Sequence, residues 1–110
     1  MIEIRGYVDE SGNKPFARWL DGLDAAAAAR VTVALTRMEQ GNFSQVKGIG
    51  SGVFEYRIDF GPGFRIYFGK DGDSLVILIG GGTKKRQSQD IAVAHERWAS
   101  YKRRKKQETQ

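Results

Sequence analysis

Val53-Phe54-Glu55-Tyr56-Arg57-Ile58-Asp59-Phe60, then Gly61-Pro62-Gly63, then Phe64-Arg65-Ile66-Tyr67-Phe68-Gly69 is the stretch on which the fold turns. Apolar and polar residues alternate on both sides of a glycine-proline-glycine break, the signature of two antiparallel strands joined by a tight turn. A three-residue turn would set Phe60 opposite Phe64, Asp59 opposite Arg65, Ile58 opposite Ile66 and Arg57 opposite Tyr67, leaving the two arginines as diagonal neighbours. Parity then sorts the side chains. Phe54, Tyr56, Ile58, Phe60, Phe64, Ile66 and Phe68 make one apolar face, while Glu55, Arg57, Asp59, Arg65 and Tyr67 share the other.

Downstream, Asp71-Gly72 reads as a two-residue turn into Ser74–Ile79, whose unbroken apolar run predicts a strand buried on both faces and ended by Gly80-Gly81-Gly82. In that register Arg65 faces Leu78, and Gly80 lies beside the Gly61–Gly63 tip. Lys84-Lys85-Arg86 follows at once, so two basic segments converge on one spot. Ser88 can cap a last helix with Ile91, Ala94, His95, Trp98 and Tyr101 on its inner face, and Lys102–Lys106 prolongs or frays it. Upstream, Ile2, Ile4 and Val8 alternate with Glu3, Arg5 and Tyr7 as a short strand. Pro15 opens a helix carrying Phe16, Trp19 and Leu20, and Asp24 caps a second with Leu23, Ala27, Val31, Leu35 and Met38 on one face. Residues 42–52 are too rich in glycine and polar groups for a regular element. The expected order is β-α-α-β-β-β-α, an α+β fold with helices packed on an antiparallel sheet.

The chain has 110 residues, enough for one domain spanning 1–110 with a basic tail at 102–110. It has no cysteine and one histidine, which removes disulfides, thiolate metal sites and any pair of imidazoles acting as acid and base. No cofactor is expected, and no metal, because the few carboxylates near the arginines make no two-metal cage. The net charge is +5. Lys84 to Lys106 holds nine basic and two acidic residues, +7, which leaves −2 for the rest. Such a field suits an anionic partner. An acidic residue at position 3 with no long apolar run behind it predicts neither signal peptide nor membrane span, and hence a cytoplasmic protein.

Two arginines, two carboxylates and a tyrosine on one strand face can hold a phosphate and offset the charge of phosphoryl transfer. The same residues also suit plain cross-strand ion pairing on a solvated face. His95 and both tryptophans read first as core residues.

Phe54-Glu55-Tyr56-Arg57-Ile58, Gly61-Pro62-Gly63-Phe64-Arg65-Ile66-Tyr67-Phe68, Leu78-Ile79-Gly80-Gly81-Gly82-Thr83-Lys84 and Gln87-Ser88-Gln89-Asp90-Ile91 together resemble the addiction-module killer proteins of the RelE/HigB group of toxins. Trp19-Leu20-Asp21-Gly22-Leu23 and Gly41-Asn42-Phe43 extend the resemblance to about Tyr101. It implies a RelE-like fold, cleavage of messenger RNA, often on translating ribosomes, and neutralisation by a cognate helix-turn-helix antitoxin through which operator DNA is met only indirectly. It also implies a basic residue after the Gly-aromatic pair, here Arg65, with Arg57 and Lys84-Lys85 matching other basic positions more loosely. The tyrosine that some members carry in the last helix is absent near Ile91. On this reading Arg65, Arg57, Lys84, Asp59 and Tyr67 are the candidate catalytic residues, and Lys85, Arg86, Arg103 and Lys105 touch RNA. The 2′-hydroxyl serves as nucleophile without a metal. Proton removal is open among Asp59, Tyr67, Lys84 and a group on ribosomal RNA. A non-catalytic RNA-binding or regulatory protein fits the composition equally well.

Overall fold

The computed structural model describes residues 1–108, so the last two positions of the 102–110 tail lie outside the described residues. Its elements are β1 (Glu3–Gly6), α1 (Pro15–Asp21), α2 (Ala25–Glu39), β2 (Val46–Gly48), β3 (Val53–Ile58), β4 (Phe64–Lys70), β5 (Leu75–Thr83), a 3₁₀ turn (Lys84–Arg86) and α3 (Gln87–Glu108). The fold is α+β, with three helices packed on one sheet of strand order β1-β5-β4-β3-β2. Two features depart from the expected order. Part of the glycine-rich segment forms the edge strand β2, paired to β3 from Val46↔Tyr56 to Gly48↔Phe54. The sheet is also mixed rather than antiparallel: the two helices return the chain so that β1 runs parallel to β5, Glu3 opposite Leu75 and Gly6 opposite Leu78.

The β3–β4 hairpin keeps the expected parity and changes its register. Gly63 N–H turns inward to the Phe60 carbonyl at 3.0 Å, so Asp59–Gly63 closes as a five-residue loop and pairing starts at Ile58↔Phe64. Gly61 and Gly63 take φ of 56° and 80° there, which glycine adopts without a Cβ penalty. A slip of two residues leaves every side chain on its face, because the side-chain period is two. It does change the neighbours: Arg57 stands directly opposite Arg65, Glu55 opposite Tyr67, and Asp59 leaves the strand.

The next turn is likewise longer than two residues. Lys70 pairs with Val76 and Phe68 with Leu78, not Leu75. The register slips at Tyr67/Phe68, where Ile79 is the extra residue, and Gly80–Gly82 continue the strand instead of ending it. Arg65 therefore faces Gly82 rather than Leu78, and Thr83 faces Phe64.

One core lies between the sheet and the α1–α2 pair, built on Phe16, Val31, Met38, Ile66, Phe68 and Leu78. The capping side chain of Asp24 accepts from Ala27 N–H at 2.8 Å, as its position predicts. The second core, under α3, gathers Tyr7, Val53, Tyr67, Ile77, Ile79, Ala94 and Trp98. Tyr7 belongs to it because the edge alternation stops at Gly6: Tyr7 is 4% exposed and Val8 40%. His95 Nε2–H donates to the Ile49 carbonyl at 2.9 Å and so holds the β2–β3 turn. Far along α3, Tyr101 donates to Asp71 at 2.6 Å, Lys105 pairs with the same carboxylate, and Arg104 lies over the Tyr7 ring. Burial, then the bond to Asp71, push the Tyr101 hydroxyl up to about 12.

Each tryptophan sits flat against a glycine. A Cβ on Gly69 would lie 2.5 Å from the Trp98 ring, and one on Gly81 would lie 2.3 Å from Trp19. Gly69→Ala is therefore expected to cost about 1–3 kcal/mol by overpacking. Gly6→Ala, with open space around it, should stay within about 0.5 kcal/mol of the parent. Urea midpoints for the two variants make the check, and equal midpoints would remove Trp98–Gly69 packing as the device that seats α3.

Candidate active site

The polar face of the β3–β4 hairpin is not open to solvent. The first turns of α3 cover it, and Glu55, at 0% exposed, is its centre. Gln87 Nε2 donates to both carboxylate oxygens, at 3.1 and 2.8 Å. Arg57 Nε donates to Oε1 at 3.3 Å, and Arg65 Nε faces the same oxygen at 4.0 Å. Two arginines directly opposite each other would repel. The carboxylate between them offsets that; Arg57 and Gln87 supply its hydrogen bonds and Arg65 adds only its nearby charge, Nε of Arg65 having no hydrogen-bond partner among the described residues.

Arg65 is 5% exposed, with Nη1 donating to its own strand's Phe64 carbonyl at 3.0 Å. Arg57 is the outer partner, its side chain 45% exposed. Lys84 arrives at the same place through its backbone, because its N–H donates to the Gly63 carbonyl at 2.9 Å. A Cβ on Gly63 would lie 3.4 Å from Lys84 Cβ and 3.8 Å from Arg65 Nη1, so that glycine is the seam between the two cations. The expected convergence holds in this form.

Asp59 does not face Arg65. It stands on the 59–63 loop and lines two recesses, one of about 290 Å³ shared with Gly63 and Lys84, the other of about 370 Å³ shared with Arg57, Arg30 and Arg37. Tyr67 is 1% exposed, behind the hairpin face, and burial, then the neighbouring Glu55 charge, raise its hydroxyl far above the ordinary tyrosine value. Lys85 and Arg86 are exposed on the 3₁₀ turn. Arg86 points the other way from Lys84, into a cleft with Asp90 and Arg97. Arg103 and Lys105 do not join the group. Arg103 is sixteen residues beyond Gln87 on α3, about 24 Å at 1.5 Å per residue.

Arg30, Arg37, Gln87, Asp90 and Arg97 are site neighbours that sequence reasoning missed. Arg30 and Arg37 differ by seven residues on α2, two helical turns, and that spacing was the available signal.

The model of the phage-derived protein Gp49-like family matches residues 18–99, which contain Arg65, Lys84 and Asp90 and stop short of the basic tail. The chain belongs to the Gp49-like family. This is a toxin-like family of addiction modules, and membership implies an antitoxin partner. An uncharacterised protein of Haemophilus influenzae Rd is 40% identical over 80 residues, covering 72% of this chain and 81% of that protein. Among the described residues, no helix is long and apolar enough to cross a membrane.

Three predictions follow the charges of this Gp49-like chain. Glu55→Ala strands Arg65 in the interior without its counter-charge and should destabilise by about 3–5 kcal/mol. Arg57→Ala, half exposed, should cost no more than about 1 kcal/mol, which chemical denaturation resolves. Asp90 is raised by burial against the opposing pull of Arg86 and Arg97. A carboxyl raised in the fold contributes stability below its unfolded pKa and loses it as pH rises through the folded value. Asp90→Asn should therefore raise the melting temperature at pH 7 and leave it unchanged near pH 3. A lower melting temperature at pH 7 would contradict that sign.

Proposed function

We propose that the chain is a RelE/HigB-type toxin that cuts messenger RNA, free or on the ribosome, by attack of the RNA's own 2′-hydroxyl. The observation that carries this is the meeting of Arg65 and Lys84 at the Gly63 seam, with Arg57 directly opposite Arg65 in the sheet. Family membership supports the toxin part of it. In the step itself the 2′-oxygen bonds to phosphorus, the 5′-oxygen leaves, and the products are a 2′,3′-cyclic phosphate and a 5′-hydroxyl. Arg65 is rigid because Glu55 and the Phe64 carbonyl hold it, so its guanidinium meets the developing phosphorane charge without reorganising. Arg57 and Lys84 flank it, and Arg30 and Arg37 continue the positive track along α2.

Proton removal goes to Asp59. It is exposed and shares a recess with Lys84, whereas Tyr67 is buried and held in its neutral form. The leaving oxygen takes its proton from Lys84 or from water. The antitoxin is expected to carry a helix-turn-helix and to cover this rim, with operator DNA reached through that partner alone.

The test is induced expression with mapping of RNA 5′ ends, followed by cleavage rates at saturating RNA or ribosomes for folded variants. Because Arg65 also balances Glu55, Arg65→Lys is the informative change. It keeps the charge, loses the planar fork, and should lower the rate roughly 10²–10³-fold while circular dichroism and melting stay near the parent. Asp59→Asn should lower the rate and flatten the acid limb of its pH profile. Unchanged cleavage in folded Arg65→Lys would move the reaction away from the Gly63 seam. RNA binding without cleavage in the parent would favour a non-catalytic RNA-binding protein.

A further inference from the structure

The second recess that Asp59 lines, about 370 Å³ beside α2, exists because the outer edge of the sheet is incomplete. β2 covers β3 only as far as Val46↔Tyr56. After Arg57 N–H donates to the Gln45 carbonyl at 3.1 Å, the edge at Ile58 has no strand beside it among the described residues. On α2, positions 30, 34 and 37 follow one another at i, i+4 and i+7 and so share a face. The middle one is Ala34, 2% exposed, whose short side chain leaves room between the two arginines that a longer residue would fill.

Arg30 and Arg37 are exposed, and no ion pair joins either to a carboxylate among the described residues. Asp59 is the acidic residue of the lining, and it stands at the boundary with the Gly63 recess, which it also lines. The Arg30 guanidinium carbon lies 4.6 Å from the centre of the Phe60 ring, and Phe60 belongs to the Gly63 recess, so this cation stands between the two hollows. A guanidinium held over a ring keeps its N–H donors in its own plane, free for an anion. Tyr56 is 2% exposed and lines the recess. Its hydroxyl makes no hydrogen bond among the described residues, yet it is not sealed from solvent as the Tyr67 hydroxyl is. Two unpaired guanidinium groups and one unpaired hydroxyl around a hollow call for an acceptor-rich anion.

We propose that Arg30, Arg37 and the Tyr56 hydroxyl hold a phosphodiester near the one that is cut, making the α2 recess a second phosphate site that fixes the position of the RNA without entering the chemistry. Arginine's planar fork matches phosphate oxygens, and the tyrosine hydroxyl adds a third donor. A strand whose scissile phosphate lies at the Gly63 seam reaches the recess by way of Phe60 and Arg30, across the boundary that the two hollows share at Asp59. That continuity favours a polymer of phosphates over an acidic peptide, which would meet the arginines of the recess and have no reason to extend to the seam. The proposal deepens the RNA-cleavage reading and rests on it for the source of the phosphate.

The experiment measures RNA cleavage by the full chain over a range of substrate concentrations, and separately the binding of a DNA hexanucleotide, which has no 2′-hydroxyl and is not cut. Arg30→Ala and Arg37→Ala should each raise KM and the hexanucleotide Kd about tenfold or more, leave kcat within about twofold, and lower the salt slope of binding by about 0.7. The Arg37 side chain has no hydrogen bond or ion pair to lose among the described residues, so that variant tests the site without disturbing the fold. Tyr56→Phe keeps the ring and should raise both constants about two- to tenfold at an unchanged melting temperature. Arg18→Ala removes the same charge from α1, outside the recess, and should move neither constant. Unchanged KM, Kd and salt slope in folded Arg37→Ala and Tyr56→Phe would overturn the proposal. So would an equal loss in Arg18→Ala, a fall in kcat alone, a loss seen with ribosomes but not with the hexanucleotide, or capture of a glutamate-rich peptide in its place. Arg37-dependent hexanucleotide binding in a chain that cuts no RNA would keep the recess and remove the cleavage reading, so the two failures are distinguishable.

Discussion

A carboxylate without exposed surface has to be answered from every side, and Glu55 is answered by three elements at once. Arg57 reaches it along β3, Arg65 across from β4, and Gln87 down from the start of α3. Glu55 and Arg65 are buried together while Arg57 stays half exposed, so the position of α3, the pairing of the two inner charges and the closure of the hairpin face are fixed together. Taken alone, the pair need add little net stability, because desolvation offsets most of the attraction. What it supplies is orientation. Arg65 has one nitrogen turned to Glu55 and another to the Phe64 carbonyl, and few rotamers of a side chain so held remain open to it.

Both faces of the sheet then need helices at close range, and glycine makes that possible. Trp98 lies over Gly69 on one face and Trp19 over Gly81 on the other, at distances that no Cβ would allow. The glycines of β5 thus serve two ends. Gly81 admits an anchor for α1, while Gly80 and Gly82 keep the α3 face bare, where Arg97 and Asp90 come down to the backbone. A strand with side chains at those points would push α3 away, and Gln87 would lose its reach to Glu55.

Much of this was legible in the residues. Parity, the Asp24 cap, the apolar stripe of α3 and the approach of Lys84 to the hairpin tip all follow from period and turn chemistry. Register did not, because it hangs on where the Gly63 N–H finds an acceptor and on the extra residue at Ile79, neither of which alternation records. β2 is three residues long and exists through pairing with β3 rather than any propensity of its own. The parallel placement of β1 depends on how two helices turn the chain back. The larger miss is burial: a polar residue at every second position ordinarily marks a solvated face, and here the same pattern marks an internal charged centre beneath a helix. Asp90 was hidden likewise, since an acidic residue in a helix's first turn is usually explained by the helix dipole alone.

The charge distribution takes on a different meaning once α3 is seen as one continuous helix. The +7 segment is not a single patch. Its first three cations crown the 3₁₀ turn between the Gly63 seam and the cleft of Asp90 and Arg97, while its tail, about 24 Å along the helix, is partly committed to Asp71, Tyr7 and the Val8 carbonyl. At physiological ionic strength a Debye length is about 8 Å, so exposed charges at the two ends of α3 act almost independently. The tail can therefore act on an anionic partner only through long-range attraction, and short-range contacts at the hairpin end fall to the few groups around the turn, where Arg65 is oriented by Glu55 and the Phe64 carbonyl.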